Sequence, residues 1–120
     1  MKDSFKQFTL NDGLMKSIKE LGFKKPTPIQ SKVIPHLLDS NQDLIATAQT
    51  GTGKTAAFGL PLLQLTDTNN DSIQTLILCP TRELCLQIGK DLSNYSKYLK
   101  NINILSVYGG AKIDKQIRSL

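Results

Sequence analysis

Apolar residues recur at intervals of three or four in the first part of the chain, which is the spacing of a helix with one buried face. The residues that share this spacing are Leu10, Leu14, Ile18 and Leu21. Asn11 can cap the start of such a helix, and Gly22 supplies a residue that adopts the left-handed conformation at its end. The pattern therefore predicts a helix over residues 11–21.

A second helix is predicted to begin at Thr27, because a threonine at the N-cap followed by Pro28 at the first helical position is a typical start. Pro35 is expected to bend it. The same periodicity predicts helices over residues 54–65 and 82–99, and a short one over residues 113–120.

Three apolar runs have a different character, since they are too short for helices and are bounded by polar residues, glycine or proline. They cover residues 44–46, 75–79 and 102–108. Such runs are typical of buried strands. Strands that alternate with helices form right-handed βαβ units, so the predicted fold is α/β with a parallel sheet.

The composition is that of one globular domain: 120 residues, 39% hydrophobic and 21% charged. No apolar run approaches a membrane span of about 18 residues, and residues 1–5 show no signal-peptide pattern, so we expect no membrane partner and a cytoplasmic location. Cys79, Cys85 and the single His36 cannot assemble a zinc site, and both cysteines are expected in the core. The net charge of +5 is compatible with a polyanion partner without establishing one.

A phosphate-binding loop is predicted directly after the first strand. Its residues are Ala48, Gln49, Thr50, Gly51, Thr52, Gly53, Lys54 and Thr55. The glycines let the backbone turn tightly, so that successive N–H groups and the start of the next helix face phosphates. Lys54 would place a positive charge at the β- and γ-phosphates and the Thr55 hydroxyl would hold Mg²⁺, which makes these two the candidate catalytic residues. The alternative is a glycine-rich turn with an incidental Lys-Thr pair.

Gln30 has two interpretations on spacing alone. Its amide carries donors and an acceptor that match the N7 and N6 groups of adenine. It also stands three residues after Thr27, which is the spacing of a capping box. Phe5 likewise is either an aromatic that stacks on a base or a core residue beside Phe8.

Residues 22–30, 48–55 and 80–84 together resemble, in this order, the opening half of the first RecA-like domain of a DEAD-box RNA helicase. The resemblance implies a P-loop NTPase with a RecA-like parallel sheet flanked by helices, binding ATP and Mg²⁺, with residues 3–31 as the Q-motif region of an N-terminal domain segment 1–120. These helicases commonly begin the loop with alanine, as Ala48 does here. Their base-stacking aromatic lies 17 positions before the first glycine of the Q motif, which is Phe5, so Phe5 and Gln30 are implied to recognise adenine.

The same resemblance implies two RNA-binding segments. Pro80, Thr81 and Arg82 resemble motif Ia of the family, and Gly109 and Gly110 resemble its double-glycine motif; both line the RNA path. Contacts of this kind bind the backbone of RNA and not its sequence. Without the resemblance, a helix start and a turn are the simpler interpretations of the two segments.

Every later motif of the family is absent from the 120 residues: the Asp-Glu-Ala-Asp motif, the Ser-Ala-Thr motif and the second RecA-like domain with its arginine finger. The resemblance implies that the whole protein couples ATP hydrolysis to local unwinding of RNA duplexes. The 120 residues alone are expected to be inactive, because these motifs are needed for phosphoryl transfer. They are also expected to fold marginally, because strands 44–46 and 75–79 are not neighbours in such sheets. Two alternatives are another P-loop enzyme, such as a nucleotide kinase, and a truncated, non-catalytic module that binds nucleotide or RNA.

Overall fold

A computed structural model describes residues 4–120, so Asp3, which opens the predicted Q-motif region, lies outside the described residues. A 3-10 helix covers Phe5–Phe8. Five α-helices follow in the described part of the chain: α1 Asp12–Glu20, α2 Pro28–Asp39, α3 Lys54–Leu65, α4 Arg82–Tyr95 and α5 Ile113–Arg118.

The helix starts lie where the capping signals predict them. The Asn11 side chain accepts a hydrogen bond from the Leu14 N–H at 2.8 Å. Thr27 and Gln30 form a complete capping box at the start of α2, and α2 continues past Pro35 to Asp39. Caps of this kind satisfy N–H groups that have no partner inside the helix, so local sequence is sufficient to place them.

The end of α4 differs from the prediction, because the helix stops at Tyr95 and does not reach Leu99. Ser96 is the C-cap, and the Leu99 N–H then bonds the Ser96 carbonyl in a turn at 2.9 Å. Asn101 adopts a positive φ of 58°, which redirects the chain. The apolar periodicity continues through this turn because Leu99 still packs against the core.

The core lies among the first four α-helices: α2 packs on α3, α3 on α4, and α1 on α4. Leu14, Ile34 and Leu60 are fully buried at its centre. Helix α3 approaches α4 closely at Gly59, where an added Cβ would lie 2.7 Å from a methyl carbon of Leu92. This helical layer holds the start of α3, and therefore the predicted phosphate loop, in a fixed position.

The predicted sheet is not formed within residues 4–120, since segments 44–46, 75–79 and 102–108 are not strands and no ladder joins them. In segment 75–79 the exposure nevertheless alternates: Ile77 and Cys79 pack against the core, whereas Leu76 and Leu78 are 79% and 84% exposed. Ile45 is 95% exposed. Alternation is the burial pattern of strands with one covered face. The structure therefore does not confirm the predicted strands within the described residues, because a strand requires a paired neighbour, and these segments have none there.

Within residues 4–120, no helix combines the length and the apolar character needed to cross a membrane.

Candidate phosphate and RNA site

The predicted phosphate loop leads directly into α3. Gly51 and Gly53 have φ values of +77° and +84°, the left-handed conformation that glycine adopts without a steric penalty. Gly53 is the N-cap of α3 and provides no side-chain cap for the first N–H groups of the helix. Those groups remain available to an anion at the positive end of the helix dipole.

Two hydrogen bonds hold the loop in its present conformation. The Lys54 ammonium donates to the Ala48 carbonyl at 2.7 Å across the base of the loop. The Thr52 hydroxyl donates to the Gln49 carbonyl at 2.5 Å. Thr55 is half-buried in the first turn of α3, and Thr50 lies in the turn that Gly51 completes. An incoming phosphate would therefore compete with the Ala48 carbonyl for Lys54.

Gln30 connects α2 to this loop. Its Oε1 accepts the Thr27 N–H at 2.9 Å, and its Nε2 donates to the Gly53 carbonyl at 3.2 Å. The side chain is only 3% exposed. An added Cβ on Gly53 would overlap Nε2, so the close approach requires glycine there. The capping role of Gln30 is present in the structure, and its predicted recognition of adenine stays a prediction.

Phe5 lies in an aromatic cluster and is 3% exposed. Its ring centroid is 5.8 Å from that of Phe8, edge to face, and 5.9 Å from that of Phe23. The structure therefore places Phe5 in the core and Gln30 against the loop. Stacking of Phe5 on a base stays a prediction.

The predicted RNA residues fall at the start of α4 and after residues 102–108. Thr81 caps α4, accepting a hydrogen bond from the Leu84 N–H at 3.2 Å, and Pro80 before it is exposed. The structure brings Arg82 and Gly110 together: an added Cβ on Gly110, whose φ is +87°, would lie 3.0 Å from Nη1 of Arg82. Gly109 has open space around it.

Two residues that were not predicted from the sequence lie beside this pair. The Tyr108 ring centroid lies 5.0 Å from Cζ of Arg82, and the Gln116 side chain hydrogen-bonds the backbone of Tyr108. An aromatic residue directly before a double glycine was the available signal. Tyr108 and Arg82 are 26 positions apart in the sequence, so their contact could not be predicted from a local pattern. The apolar pattern predicts only that Tyr108 ends a strand.

The remaining candidate groups are structural. His36 donates from Nε2 to the Gln42 carbonyl at 3.2 Å. Cys79 and Cys85 are free and half-buried, so the prediction of core residues holds only in part. Partial desolvation and the neighbouring Cys85 raise the pKa of the Cys79 thiol. Residues 4–120 contain no cluster of three or more His, Cys, Asp or Glu side chains that could hold a metal ion.

The sequence of this chain is similar to those of known helicases. A family model described as DEAD/DEAH box helicase matches residues 27–120. The DEAD-box ATP-dependent RNA helicase CshA of Bacillus cereus is 49% identical over 117 residues, which are 98% of this chain and 22% of that protein. The chain thus spans about a fifth of the length of such curated relatives.

Solved structures show the same similarity. A DEAD box protein from the hyperthermophile Methanococcus jannaschii superposes with a TM-score of 0.92 at 42% identity, over 98% of this chain and 32% of that one. Dbp5 of S. cerevisiae, solved bound to RNA and ADP BeF3, has a TM-score of 0.82 at 34% identity, over 92% of this chain and 29% of that one.

Proposed function

Because this chain belongs to the DEAD/DEAH box helicase family, whose model matches residues 27–120, we propose that it forms the nucleotide-binding part of an ATP-dependent RNA helicase. The whole protein would couple ATP hydrolysis to local separation of RNA strands, in the cytoplasm. The observation that best supports the proposal is the loop before α3, where two left-handed glycines and Lys54 surround the uncapped start of a helix.

In the proposed site, the backbone N–H groups of residues 48–55 bind the triphosphate. Lys54 exchanges its bond to the Ala48 carbonyl for the β- and γ-phosphates. The Thr55 hydroxyl is a hard oxygen donor of the kind that Mg²⁺ prefers, and the ion would supply charge neutralisation at the phosphates. Hydrolysis would also need the acidic Asp-Glu-Ala-Asp motif of the family, which the 120 residues do not contain.

Gln30 is proposed to recognise adenine while it caps α2. An amide offers two N–H donors and two acceptor lone pairs. The Thr27 N–H uses one acceptor lone pair of the amide, and the Gly53 carbonyl uses one of its N–H donors. The remaining donor matches N7 of adenine, and the remaining acceptor matches its N6 amino group. The two bonds already made fix the amide orientation, so it cannot rotate to match guanine. Phe5 would contribute its ring only if the aromatic cluster opens.

We further propose that segments 44–46, 75–79 and 102–108 are strands of a RecA-like parallel sheet in the whole protein. The burial of two segments supports this proposal. In segment 75–79, Ile77 and Cys79 pack against the core while the side chains between and before them are exposed, and in segment 102–108, Ile102 and Ile104 also pack against the core.

A competition experiment on the whole protein tests recognition of the base. ATP should bind more tightly than GTP by about 5- to 150-fold, which corresponds to the roughly 1–3 kcal/mol that a bidentate pair to a base provides. In Gln30→Ala the ratio should fall towards one. Loss of the loop contact alone would weaken both nucleotides equally, so the ratio isolates the contribution of the base. Equal affinity for ATP and GTP in the unmodified protein would refute this assignment.

Measurement of ATP turnover with and without RNA distinguishes a helicase from another P-loop enzyme. A nucleotide kinase would explain Lys54 and Thr55 but gives the segment 80–84 no role. We expect single-stranded RNA to accelerate ATP hydrolysis by the whole protein, and turnover that is insensitive to RNA would favour the kinase. No hydrolysis at all, with binding retained, would favour the non-catalytic module.

A further inference from the structure

The Arg82 guanidinium contacts an aromatic ring and a glycine at the same time. Its Cζ lies 5.0 Å from the ring centroid of Tyr108, which is the distance of a cation–π contact. Nη1 lies so close to Gly110 that an added Cβ there would be 3.0 Å away. Arg82 is the first residue of α4, so a side chain at a helix start is held against the turn that follows residues 102–108.

The contact leaves the hydrogen-bonding groups of Arg82 free. Within residues 4–120 its guanidinium makes no hydrogen bond, and the single ion pair of that range joins Lys97 to Glu20. A ring covers the face of a guanidinium, whereas its five N–H donors lie in the plane and point outward. An exposed arginine held in this way suits a phosphate, which takes two parallel N–H bonds.

The position of Tyr108 is itself fixed by a residue of α5. The Tyr108 N–H donates to Oε1 of Gln116 at 2.9 Å, and Nε2 of Gln116 donates to the Tyr108 carbonyl at 3.2 Å. The amide side chain thus pairs with both backbone groups, as a neighbouring strand would. The Cys85 thiol also donates to the Val107 carbonyl at 3.6 Å, which connects the preceding residue to α4.

We infer that Tyr108 and Gln116 are positioning residues for an RNA phosphate contact made by Arg82: Gln116 holds the backbone of Tyr108, and the Tyr108 ring holds the guanidinium. The inference rests on the proposed function, because it names how one part of that function binds RNA. The ligand is a phosphodiester of single-stranded RNA, bound without regard to sequence.

Fluorescence anisotropy of the whole protein with a labelled oligouridine, at several salt concentrations, tests this inference. Arg82→Gln should weaken RNA binding and reduce the slope of log affinity against log salt by about one, as expected for one lost phosphate contact. Tyr108→Leu should weaken binding about two- to fivefold, which is the size of a cation–π contact at an exposed site. Tyr108→Phe should bind normally, because the ring is retained.

Double variants distinguish positioning from a general structural role. If Tyr108 and Gln116 act through Arg82, then Tyr108→Leu and Gln116→Leu should have no further effect on RNA affinity once Arg82→Gln is present. Far-UV circular dichroism of every variant should match that of the unmodified protein, which confirms that the fold is intact.

The outcomes separate this inference from the proposed function. If Arg82→Gln leaves affinity and salt slope unchanged, the proposed RNA contact itself is wrong. If Arg82→Gln weakens binding but Tyr108→Leu does not, or if Tyr108→Leu weakens binding equally in the Arg82→Gln background, the positioning roles are overturned while the RNA contact stands. A loss of affinity in Tyr108→Phe as large as in Tyr108→Leu would also overturn them.

Discussion

At the scale of single residues, Gly53 carries two constraints at once. Its φ of +84° is unfavourable for any residue with a side chain, and an added Cβ would overlap Nε2 of Gln30. Gly22 has nearly the same φ, +81°, but nothing lies within 4 Å of an added Cβ. Substitution of Gly22 therefore tests backbone strain alone, whereas substitution of Gly53 tests the same strain together with the contact between α2 and the loop.

Gly53→Ala should reduce ATP affinity at least tenfold, because the new methyl group displaces Gln30 and reshapes the loop. Gly22→Ala should cost only backbone strain, about 1–2 kcal/mol of stability, and leave ATP affinity unchanged. Isothermal titration with ATP and thermal unfolding measure the two effects. Equal ATP affinity in the two variants would show that the contact between Gln30 and Gly53 has no part in nucleotide binding.

At the scale of elements, the end of α1 is joined to the turn after α4 by an exposed polar cluster. Glu20 accepts hydrogen bonds from the Tyr98 hydroxyl and, at 3.1 Å, from the Lys97 ammonium. The Lys16 ammonium lies 4.2 Å from the centre of the Tyr98 ring. The bond from Tyr98, and then that from Lys97, lowers the pKa of the Glu20 carboxyl.

This lowered pKa predicts a dependence of stability on pH. A carboxyl whose pKa is lower in the folded state stabilises the fold above its unfolded pKa, and the contribution is lost as pH falls through its folded pKa. The midpoint of thermal unfolding should therefore fall less for Glu20→Gln than for the unmodified protein below about pH 4.5. Asp71→Asn is the matched control, because Asp71 is exposed and outside the cluster; it should follow the unmodified protein. Identical acid profiles for all three would contradict a role for Glu20.

The elements also show which parts of the fold the sequence can predict. The starts of α1, α2 and α3 follow from caps and glycines within four residues of each start, so they were predicted correctly. The segments 44–46, 75–79 and 102–108 have the local apolar pattern of strands, but a strand also needs a paired neighbour, and no such pairing is present within residues 4–120. The sequence signal for the loop of residues 48–55 is likewise local. The contact of Tyr108 with Arg82 arises only from tertiary packing, so no local signal predicts it.

At the scale of the whole molecule, the exposed apolar side chains of segments 44–46 and 75–79 are the dominant feature. Ile45, Leu76 and Leu78 are between 79% and 95% exposed, and large exposed apolar side chains favour association. We expect the 120-residue chain, purified alone, to fold marginally and to elute above its monomer mass of 13.3 kDa. Size-exclusion chromatography and calorimetry test this; a monomer that unfolds in one cooperative transition would contradict it.

Substitution of the same exposed side chains should have opposite effects in the short chain and in the whole protein. Leu78→Lys should reduce association of the 120-residue chain, because it places a charge on the open apolar side. In the whole protein it should destabilise the fold by several kcal/mol if a neighbouring strand covers that side, since an unpaired charge would then be buried. Asn103→Lys controls for added charge at an exposed polar position in the segment 102–108 and should be nearly neutral in both contexts. A neutral effect of Leu78→Lys on the stability of the whole protein would show that the open side remains uncovered there, and the proposed RecA-like sheet would be wrong.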